Sequence, residues 1–295
     1  MSDIIRLKRK TQAVILTHNY QPPVLFEIAD FIGDSLELAR RAAEASAPLI
    51  VFCGVKFMAE TAKILSPEAR VILPEPKAGC QMADMITGAA LRMKREELDP
   101  VTVVAYVNTP ADVKAESDIC CTSANAVRVV NSVASDRRIL FVPDKNLARY
   151  VARETRRDIV PWEGHCYVHA FFTAADVARA RKEHPDAVVV SHPECPLEVL
   201  DASDHVASTG GMVRLAAEHP RMVLGTESSM CSRILRDHPD NRCWPLRRTA
   251  VCKNMKMTTL AKVKAALQGQ VPEVTLPADV AERARAAIDR MMALS

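Results

Sequence analysis

Three stretches of this 295-residue chain follow the same pattern at intervals of about 86 residues, and this repetition limits the possible folds more than any other feature. Each stretch begins with a short run rich in valine and isoleucine that ends in polar residues. The three runs are AVILTHNY at 13–20, VTVVAYVNT at 101–109 and AVVVSHPE at 187–194. Such runs, alternating with amphipathic helical patterns, predict parallel β-sheets with crossover helices.

Three kinds of side chain recur at matching places in the repeats. The first set ends the opening strand, with spacings of 88 and 86 residues: His18, Tyr106 and His192. A hydroxyl residue follows each of these by 17 residues, where a helix is expected to start: Ser35, Ser123 and Thr209. A cysteine comes later in each repeat, with spacings of 86 and 86 residues: Cys80, Cys166 and Cys252. Matches of three residue types at shared offsets indicate a triplicated unit.

Each unit is expected to run strand, helix, strand, helix, strand, cysteine and helix. Thr173 and Asp176 are expected to form a capping box after the second cysteine, and Thr258 to cap the helix that stops at Gly269 after the third. The predicted domains are residues 1–100, 101–186 and 187–272, followed by a C-terminal helix at 273–295. Ligands of parallel sheets bind beyond the carboxyl ends of the strands, so we expect the polar strand ends to build the site.

Composition and charge exclude several classes of protein. Hydrophobic residues make up 48% and charged residues 25%, which is enough apolar material for a packed core. The net charge of +3 is scattered, so nothing indicates a nucleic-acid partner. The longest apolar stretches are far shorter than the roughly 20 residues of a membrane span, and residues 1–10 lack the apolar region of a secretory signal. We therefore expect a cytoplasmic protein with no membrane partner.

The three matched cysteines indicate a metal site. Three copies of a domain that pack about a pseudo-threefold axis would bring their equivalent thiols to one point. A structural zinc site normally has four ligands, whereas iron–sulfur clusters are held by cysteine thiolates. A four-iron cluster with three cysteines leaves one iron open as a Lewis acid. The chain has no C-x₂-C-x₂-C run and no G-x-G-x-x-G or P-loop fingerprint.

The other six cysteines have weaker signals. Cys53, Cys231 and Cys243 are expected to pack as small hydrophobic side chains. Cys120, Cys121 and Cys195 are near the expected strand-end face, so packing, pocket lining and a chemical role all stay open for them. A redox role for Cys243 also stays open.

At this point the residues resemble a known family, the quinolinate synthases, which are iron–sulfur enzymes of de novo NAD biosynthesis. The resemblance rests on seven motifs that together span nearly the whole chain. They are THNYQ at 17–21, GDSLELA at 33–39, AYVNT at 105–109, GHCYVH at 164–169, HPEC at 192–195, STGGM at 208–212 and CKNMKMTTL at 252–260.

The resemblance implies a fold, a cofactor and a reaction. The fold would be three homologous Rossmann-like αβα three-layer domains, each with a parallel sheet, about a pseudo-threefold axis. The family holds one 4Fe–4S cluster through three cysteines, matching Cys80, Cys166 and Cys252. It condenses iminoaspartate, formed by oxidation of aspartate, with dihydroxyacetone phosphate to give quinolinate, phosphate and water. A functional link to an aspartate-oxidising enzyme follows.

The resemblance also implies roles for individual residues. His18, Tyr20 and Glu194 would be catalytic, with Glu194 as the acid–base residue whose pKa a closed pocket can raise towards neutrality. The substrate-binding set would be His18, Ser35, Tyr106, Asn108, Ser123, His169, His192, Glu194, Ser208 and Thr209. We expect the hydroxyl residues to lie at helix N-termini, where backbone N–H groups favour carboxylate or phosphate.

Two other functions stay open at the level of sequence. The chain could be another three-cysteine 4Fe–4S hydro-lyase that acts on a small hydroxy acid. It could also be an iron–sulfur sensor, although no DNA-binding element is evident in the sequence. The oligomeric state, the order of substrate binding and the way the site opens are not predicted.

Overall fold

The computed structural model of the protein describes residues 1–294 and contains three separate four-stranded sheets, in which every strand pairing is parallel. Each sheet arises from one repeat, and helices flank it. This confirms the prediction of three Rossmann-like αβα units with parallel sheets. We call the sheets one, two and three in chain order.

The three sheets share one strand order, in which the opening strand of the repeat lies second from the edge. Sheet one has the order β2-β1-β3-β4, with β1 at Ala13–His18, β2 at Phe31–Gly33, β3 at Leu49–Cys53 and β4 at Arg70–Ile72. Sheet two has the order β6-β5-β7-β8, with β5 at Val101–Tyr106, β6 at Ile119–Cys121, β7 at Arg138–Val142 and β8 at Ile159–Pro161. Sheet three has the order β10-β9-β11-β12, with β9 at Val188–Ser191, β10 at His205–Val206, β11 at Arg221–Gly225 and β12 at Arg242–Pro245.

Thirteen α-helices connect and cover the sheets within residues 1–294. They are α1 Ser2–Thr11, α2 Ser35–Glu44, α3 Lys56–Leu65, α4 Gly88–Leu98, α5 Ala111–Ala115, α6 Ala126–Ser132, α7 Lys145–Thr155, α8 Ala174–Glu183, α9 Leu197–Ala202, α10 Thr209–Leu215, α11 Met230–Asp237, α12 Leu260–Leu267 and α13 Ala278–Ala293. Short 3₁₀ turns lie at Pro23–Leu25, Ala83–Met85 and Asn254–Lys256. No helix in the described part of the chain combines the length and the apolar character needed to cross a membrane.

The inner strands are buried on both faces, as their continuous apolar sequence predicts. All five residues of β3 are buried, and in β7 only Arg138 is exposed. Parallel strands need crossover connections, and the helices in these connections cover both faces of the sheet. One apolar cluster extends from Leu16 and Ile50 of sheet one to Val190 of sheet three, so these two sheets share a core.

The short edge strands β2, β6 and β10 are a feature that the sequence pattern did not predict. Each directly precedes the helix that leads to the third strand of its repeat (α2, α6 or α10) and pairs with the opening strand, as in Val104↔Ile119 to Tyr106↔Cys121. With only two or three residues, these strands are too short to show a β-type alternation.

The helix that follows each cysteine packs on the next sheet in the sequence rather than on its own. Helix α4 contacts β5 of sheet two, and α8 contacts β9 of sheet three. Helix α12 contacts β3 of sheet one and thereby closes a ring, while α13 covers sheet two. The cysteines therefore stand where the chain passes from one unit to the next. The domain boundaries at 100, 186 and 272 stay a prediction.

A threonine seven residues after each cysteine caps the following helix. The hydroxyls of Thr87, Thr173 and Thr259 accept the N–H groups of Ala90, Asp176 and Lys262 at 3.2, 3.4 and 3.3 Å. The predicted capping box of Thr173 and Asp176 is confirmed. The predicted cap at Thr258 is wrong, because the third repeat keeps the same offset and therefore uses the next residue, Thr259. Gly269 has φ +73° just after the end of α12.

An aspartate closes the opposite, amino-terminal end of each sheet in the same way. The carboxylates of Asp30, Asp118 and Asp204 accept the backbone N–H groups of Ile15, Val103 and Val189 at 2.8, 2.7 and 2.7 Å. Each aspartate also pairs with a cation of the helix that precedes the sheet: Lys8, Arg95 and Arg181, at 2.9, 2.7 and 2.8 Å. This end of the sheets is therefore nearly identical in the three repeats.

Candidate functional site

A cavity lies where the carboxyl ends of the opening strands of all three sheets meet. His18 and Tyr106 are the last residues of β1 and β5, and His192 follows β9 directly. The predicted site residues that line the cavity are His18, Tyr20, Ser35, Cys80, Tyr106, Asn108, Ser123, Cys166, His169, His192, Glu194, Thr209 and Cys252. Side chains that are up to 234 residues apart in the chain thus surround one space.

Ser208 is the one predicted site residue that does not line this cavity. Its hydroxyl caps α10 by accepting the N–H of Gly211 at 3.2 Å, and it donates to Asp34 at 3.4 Å. The structure therefore gives Ser208 a supporting position one residue before Thr209, which does face the cavity.

The three repeat cysteines line the cavity together, and each sulfur is already held by backbone N–H groups a few residues further along. Cys80 receives them from Met82 and Ala83, Cys166 from Val168 and His169, and Cys252 from Met255. These contacts favour the thiolate form that a metal needs.

Burial acts on the same thiols in the opposite direction. It raises the pKa of Cys80 to about 12 and raises the pKa of Cys252 as well. The pKa of Cys166 also lies well above its usual value, because of burial and the nearby charge of Glu194. Three thiolates in this space consequently require a positive centre to neutralise them, which is what a metal cluster supplies.

The remaining cysteines lie outside the cavity lining. Cys53, Cys120, Cys121 and Cys195 are completely buried, and the Cys195 thiol donates to the carbonyl of Gly225 at 3.3 Å. Cys231 and Cys243 are hydrogen-bonded to each other through their thiols. All nine cysteines are free.

His18 and His192 occupy equivalent positions and share one geometry. The Nδ1 atom of each ring accepts a backbone N–H from two residues further on, Tyr20 at 3.1 Å and Glu194 at 3.3 Å. Burial lowers the pKa of each ring to about 3, so both are neutral at physiological pH. A neutral ring that accepts at Nδ1 carries its proton on Nε2, so the rings are neutral donors. In His192 this Nε2 lies 3.2 Å from the hydroxyl of Ser123.

Glu194 lies at the centre of a buried hydrogen-bonded chain. The Tyr106 hydroxyl donates to Oε1 of Glu194 at 2.6 Å, and Nδ1 of His169 lies 2.8 Å from Oε2. On the other side of the imidazole, Nε2 of His169 contacts the Thr226 hydroxyl at 2.9 Å, which in turn contacts the Tyr20 hydroxyl at 2.5 Å. The chain therefore links two tyrosine hydroxyls through a carboxylate, an imidazole and an alcohol, and it draws on all three repeats.

The expected raised pKa of Glu194 is wrong. Burial by itself would raise it, but the adjacent imidazole of His169 and the hydrogen bonds from His169 and Tyr106 lower the pKa of Glu194 to about 2. The sequence could not show this, because His169 stands 25 residues away from Glu194 in the chain. Burial and the charge of Glu194 also raise the pKa of Tyr106 and Tyr20 well above 10, so both keep their protons.

The expected anion site at the helix N-termini is largely occupied by the protein itself. Asp34 caps α2 by accepting from Leu36 and Glu37 at 3.0 and 2.9 Å. Ser208 does the same for α10. Ser35 and Thr209 are the first residues of α2 and α10, as expected. The expected place of Ser123 at a helix start is wrong, because Ser123 lies three residues before α6 begins at Ala126. All three residues line the cavity.

Two polar groups in the lining stand out by their partners. The amide oxygen of Asn108 is buried and has no hydrogen-bond partner in the described protein, which leaves an acceptor for a bound molecule. The hydroxyl oxygen of Thr209 accepts from the side chain of Asn19 at 3.0 Å, and Asn19 accepts in turn from Arg233 at 3.1 Å. This fixes the orientation of Thr209.

Cys166, His169 and Glu194 form a second arrangement that could bind a metal. Their donor atoms lie within 4.8 Å of one another. The arrangement shares Cys166 with the three-cysteine set but leaves Cys80 and Cys252 without a role. His169 and Glu194 lie at hydrogen-bond distance from each other, so both already have a partner without a metal. The set of three thiols, one from each repeat, is therefore the better candidate for a metal site.

Sequence reasoning missed several residues of the site. Asp34, Thr122 and Glu227 line the cavity, as do the hydrophobic side chains Val55, Phe57, Met58, Met82, Val168 and Met255. Thr226 does not line the cavity, but its hydroxyl contacts the Tyr20 hydroxyl and Nε2 of His169. The signal that could have found Glu227 is its position two residues after the end of β11, equivalent to Asp144 after β7.

Comparison with known proteins gives a consistent result over the whole chain. Residues 2–293 match the family described as "Quinolinate synthetase A protein". The quinolinate synthase of Methanoregula boonei is 54% identical over 294 residues, covering 99% of this chain and 97% of the relative. That of Desulforudis audaxviator is 49% identical, covering 100% and 98%. That of Dehalococcoides mccartyi strain 195 is 50% identical, covering 98% and 96%.

Proposed function

Because the chain belongs to the quinolinate synthetase A family, and is therefore an enzyme of the quinolinate synthase type, we propose that it condenses iminoaspartate with dihydroxyacetone phosphate. The products are quinolinate, phosphate and water. The proposed cofactor is one 4Fe–4S cluster with three cysteine ligands, whose open iron would provide a Lewis acid. The aspartate-oxidising step that supplies iminoaspartate links the protein to a second enzyme, and the reaction belongs in the cytoplasm.

The observation that carries this proposal is the meeting of three cysteines, one from each repeat, in one cavity with ten other predicted site residues. The donor set fits an iron–sulfur cluster, because thiolates are its usual ligands and because half-buried thiols whose pKa is raised become thiolates only beside a positive centre. Cys80, Cys166 and Cys252 would hold it. When bound, the cluster supplies a Lewis-acid iron that assists the loss of hydroxide.

The substrates carry carboxylates and a phosphate, and the cavity meets them mainly with neutral donors. The Nε2–H groups of His18 and His192 and the hydroxyls of Ser35, Ser123 and Thr209 can donate to these oxygens. Neutral donors bind anions without having to keep a buried charge when the site is empty. The unpaired amide oxygen of Asn108 accepts from a substrate N–H or O–H.

The hydrogen-bonded chain around Glu194 moves the protons that condensation, tautomerisation and water loss require. Glu194 stays ionised and hydrogen-bonds the ring of His169. The group that takes up and releases protons is therefore the Glu194–His169 pair and not Glu194 alone. Thr226 connects this pair to the Tyr20 hydroxyl, and Tyr106 closes the other end. A proton taken up at one end can thus leave at the other without bulk water.

The test is an oxygen-free assay with freshly generated iminoaspartate and dihydroxyacetone phosphate, in which quinolinate and phosphate are both measured. We expect the two products in equal amounts. Phosphate without quinolinate would contradict the proposed condensation. Dehydration of a small hydroxy acid without any use of dihydroxyacetone phosphate would instead establish the alternative hydro-lyase.

A further inference from the structure

Two of the three cysteine loops are held by a buried carboxylate that lies two residues after the end of the third strand of the repeat, in chain order. The three positions are equivalent, because the next residue always donates its N–H to the carbonyl two residues before the cysteine. These bonds run from Lys56 to Ala78, from Lys145 to Gly164 and from Ser228 to Ala250, at 2.8, 2.9 and 2.8 Å. The residues at this position are Val55, Asp144 and Glu227.

In the second repeat the carboxylate of Asp144 is completely buried and joins two structures. Oδ1 accepts the N–H of Leu147 at 2.7 Å and so caps α7. Oδ2 accepts the N–H of Cys166 at 3.1 Å. The first turn of a helix and the backbone of the cysteine are therefore tied to one side chain.

The third repeat reaches the same result with a longer side chain. Glu227 is 1% exposed. Its Oε2 accepts the N–H of Ser229 at 2.9 Å, and its Oε1 accepts the N–H of Cys252 at 3.2 Å. Lys256 lies 2.9 Å from Oε1 and neutralises it.

The first repeat lacks the device. Val55 has no acceptor in its side chain, and α3 begins without a side-chain cap. The Cys80 loop is instead held from outside its repeat, where the side chain of Asn254 donates to the carbonyl of Gly79 at 2.7 Å.

We propose that Asp144 and Glu227 are positioning residues that hold Cys166 and Cys252 in their ligand geometry and thereby set how slowly the cluster loses iron. This rests on the proposed function. If the backbone of a ligand residue is already fixed before the metal binds, less conformational entropy is lost on binding. Removal of an outer-shell partner of this kind typically lowers metal affinity or activity by about 10- to 100-fold.

The substitutions Asp144→Asn and Glu227→Gln test the proposal with little change in shape. Asparagine is as good a helix cap as aspartate, so Leu147 keeps its acceptor. The new NH₂ group then faces the N–H of Cys166, where two donors meet and no hydrogen bond forms. Glu227→Gln has the same effect at Cys252. If one variant does not fold, the other gives an independent test in a different repeat.

The readout is the rate at which an excess of a ferrous chelator removes iron from anaerobic holoenzyme, followed by absorbance. We expect about a 10- to 100-fold faster release in both variants, together with an altered electron paramagnetic resonance spectrum of the reduced cluster. The matched control is Asp118→Asn, which weakens an equivalent carboxylate-to-backbone bond at the far end of sheet two. Its release rate and spectrum should match the wild type.

Two results would overturn the inference. Wild-type release rates in both variants contradict it directly. An equal acceleration in Asp118→Asn shows that the effect follows general stability rather than ligand position. If the wild-type chain makes quinolinate and the variants release iron normally, only this inference fails, whereas a wild-type chain that binds no iron at all removes the proposed function with it.

Discussion

The two ends of the three sheets have diverged to very different degrees. At the amino-terminal end, an aspartate, a backbone N–H and a cation from the preceding helix recur in every repeat. At the carboxyl end, the position after the third strand in chain order is valine, aspartate or glutamate, and the end of the opening strand carries histidine, tyrosine or histidine. Only the cysteine and the following helix-capping threonine are the same in all three.

The difference follows from what each end serves. Each aspartate at the amino-terminal end completes its own sheet, so three copies have three identical tasks. At the carboxyl end the three copies face one cavity, and a single asymmetric reaction needs different groups on its different sides. Glu194, for example, has no carboxylate equivalent at Tyr20 or Asn108, although all three stand two residues after the shared strand-end position.

The largest expected effect is the loss of turnover when a residue at the carboxyl end of the sheets, where the repeats differ, is changed. Glu194→Gln keeps the shape of the side chain but weakens its hold on His169 and removes the carboxylate, so kcat should fall by about 10²–10⁴-fold. Iron content should stay at the wild-type value. The control is Asp118→Asn at the amino-terminal end of sheet two, which should keep the wild-type kcat. An active Glu194→Gln variant would remove Glu194 from the mechanism.

At the amino-terminal end of the sheets, where the repeats are alike, the expected effect is on stability. Replacing Asp30, Asp118 or Asp204 by alanine leaves the strand N–H that it serves without an acceptor, which should lower the free energy of unfolding by about 1–3 kcal/mol. Because the three contacts are equivalent, the three losses should be similar in urea unfolding of the cluster-free protein. A loss confined to one of the three would show that the repeats are not equivalent at this end.

The smallest expected effect concerns the caps after the cysteines. Thr87→Ala, Thr173→Ala and Thr259→Ala should each lower the free energy of unfolding by about 1 kcal/mol, since each removes one side-chain cap. Thr258→Val is the control, because the buried hydroxyl of Thr258 has no hydrogen-bond partner in the described protein. Equal losses at Thr258 and Thr259 would contradict the assignment of the cap.

Sequence reasoning predicted the parts of the molecule that repeat. The shared offsets of strand ends, hydroxyls and cysteines predicted the three parallel sheets, and the sheets bring thirteen of the fourteen predicted site residues to one cavity. The alternation of strand and helix is a local property, and the meeting of strand ends follows from parallel sheets in general. The assignment of chemical roles came from the family resemblance.

What the sequence did not predict depends on contacts between repeats or on variation within them. The low pKa of Glu194 requires His169 and Tyr106 to lie beside it, and both belong to the neighbouring repeat. Asp144 and Glu227 lie 22 and 25 residues before their cysteines, so a search at fixed offsets passes over them. The position of Ser208 behind α10 depends on which hydroxyl of a consecutive pair faces inward.

Iron and sulfide analysis of single cysteine variants tests the central claim, that one thiol from each repeat holds a common cluster. After anaerobic reconstitution, the wild type and Cys231→Ala should each contain about four irons and four sulfides per chain. Cys80→Ala, Cys166→Ala and Cys252→Ala should each lose the cluster. A full complement of iron in any of these three variants would contradict the account, as would a wild-type protein that binds one metal ion and no sulfide at Cys166, His169 and Glu194.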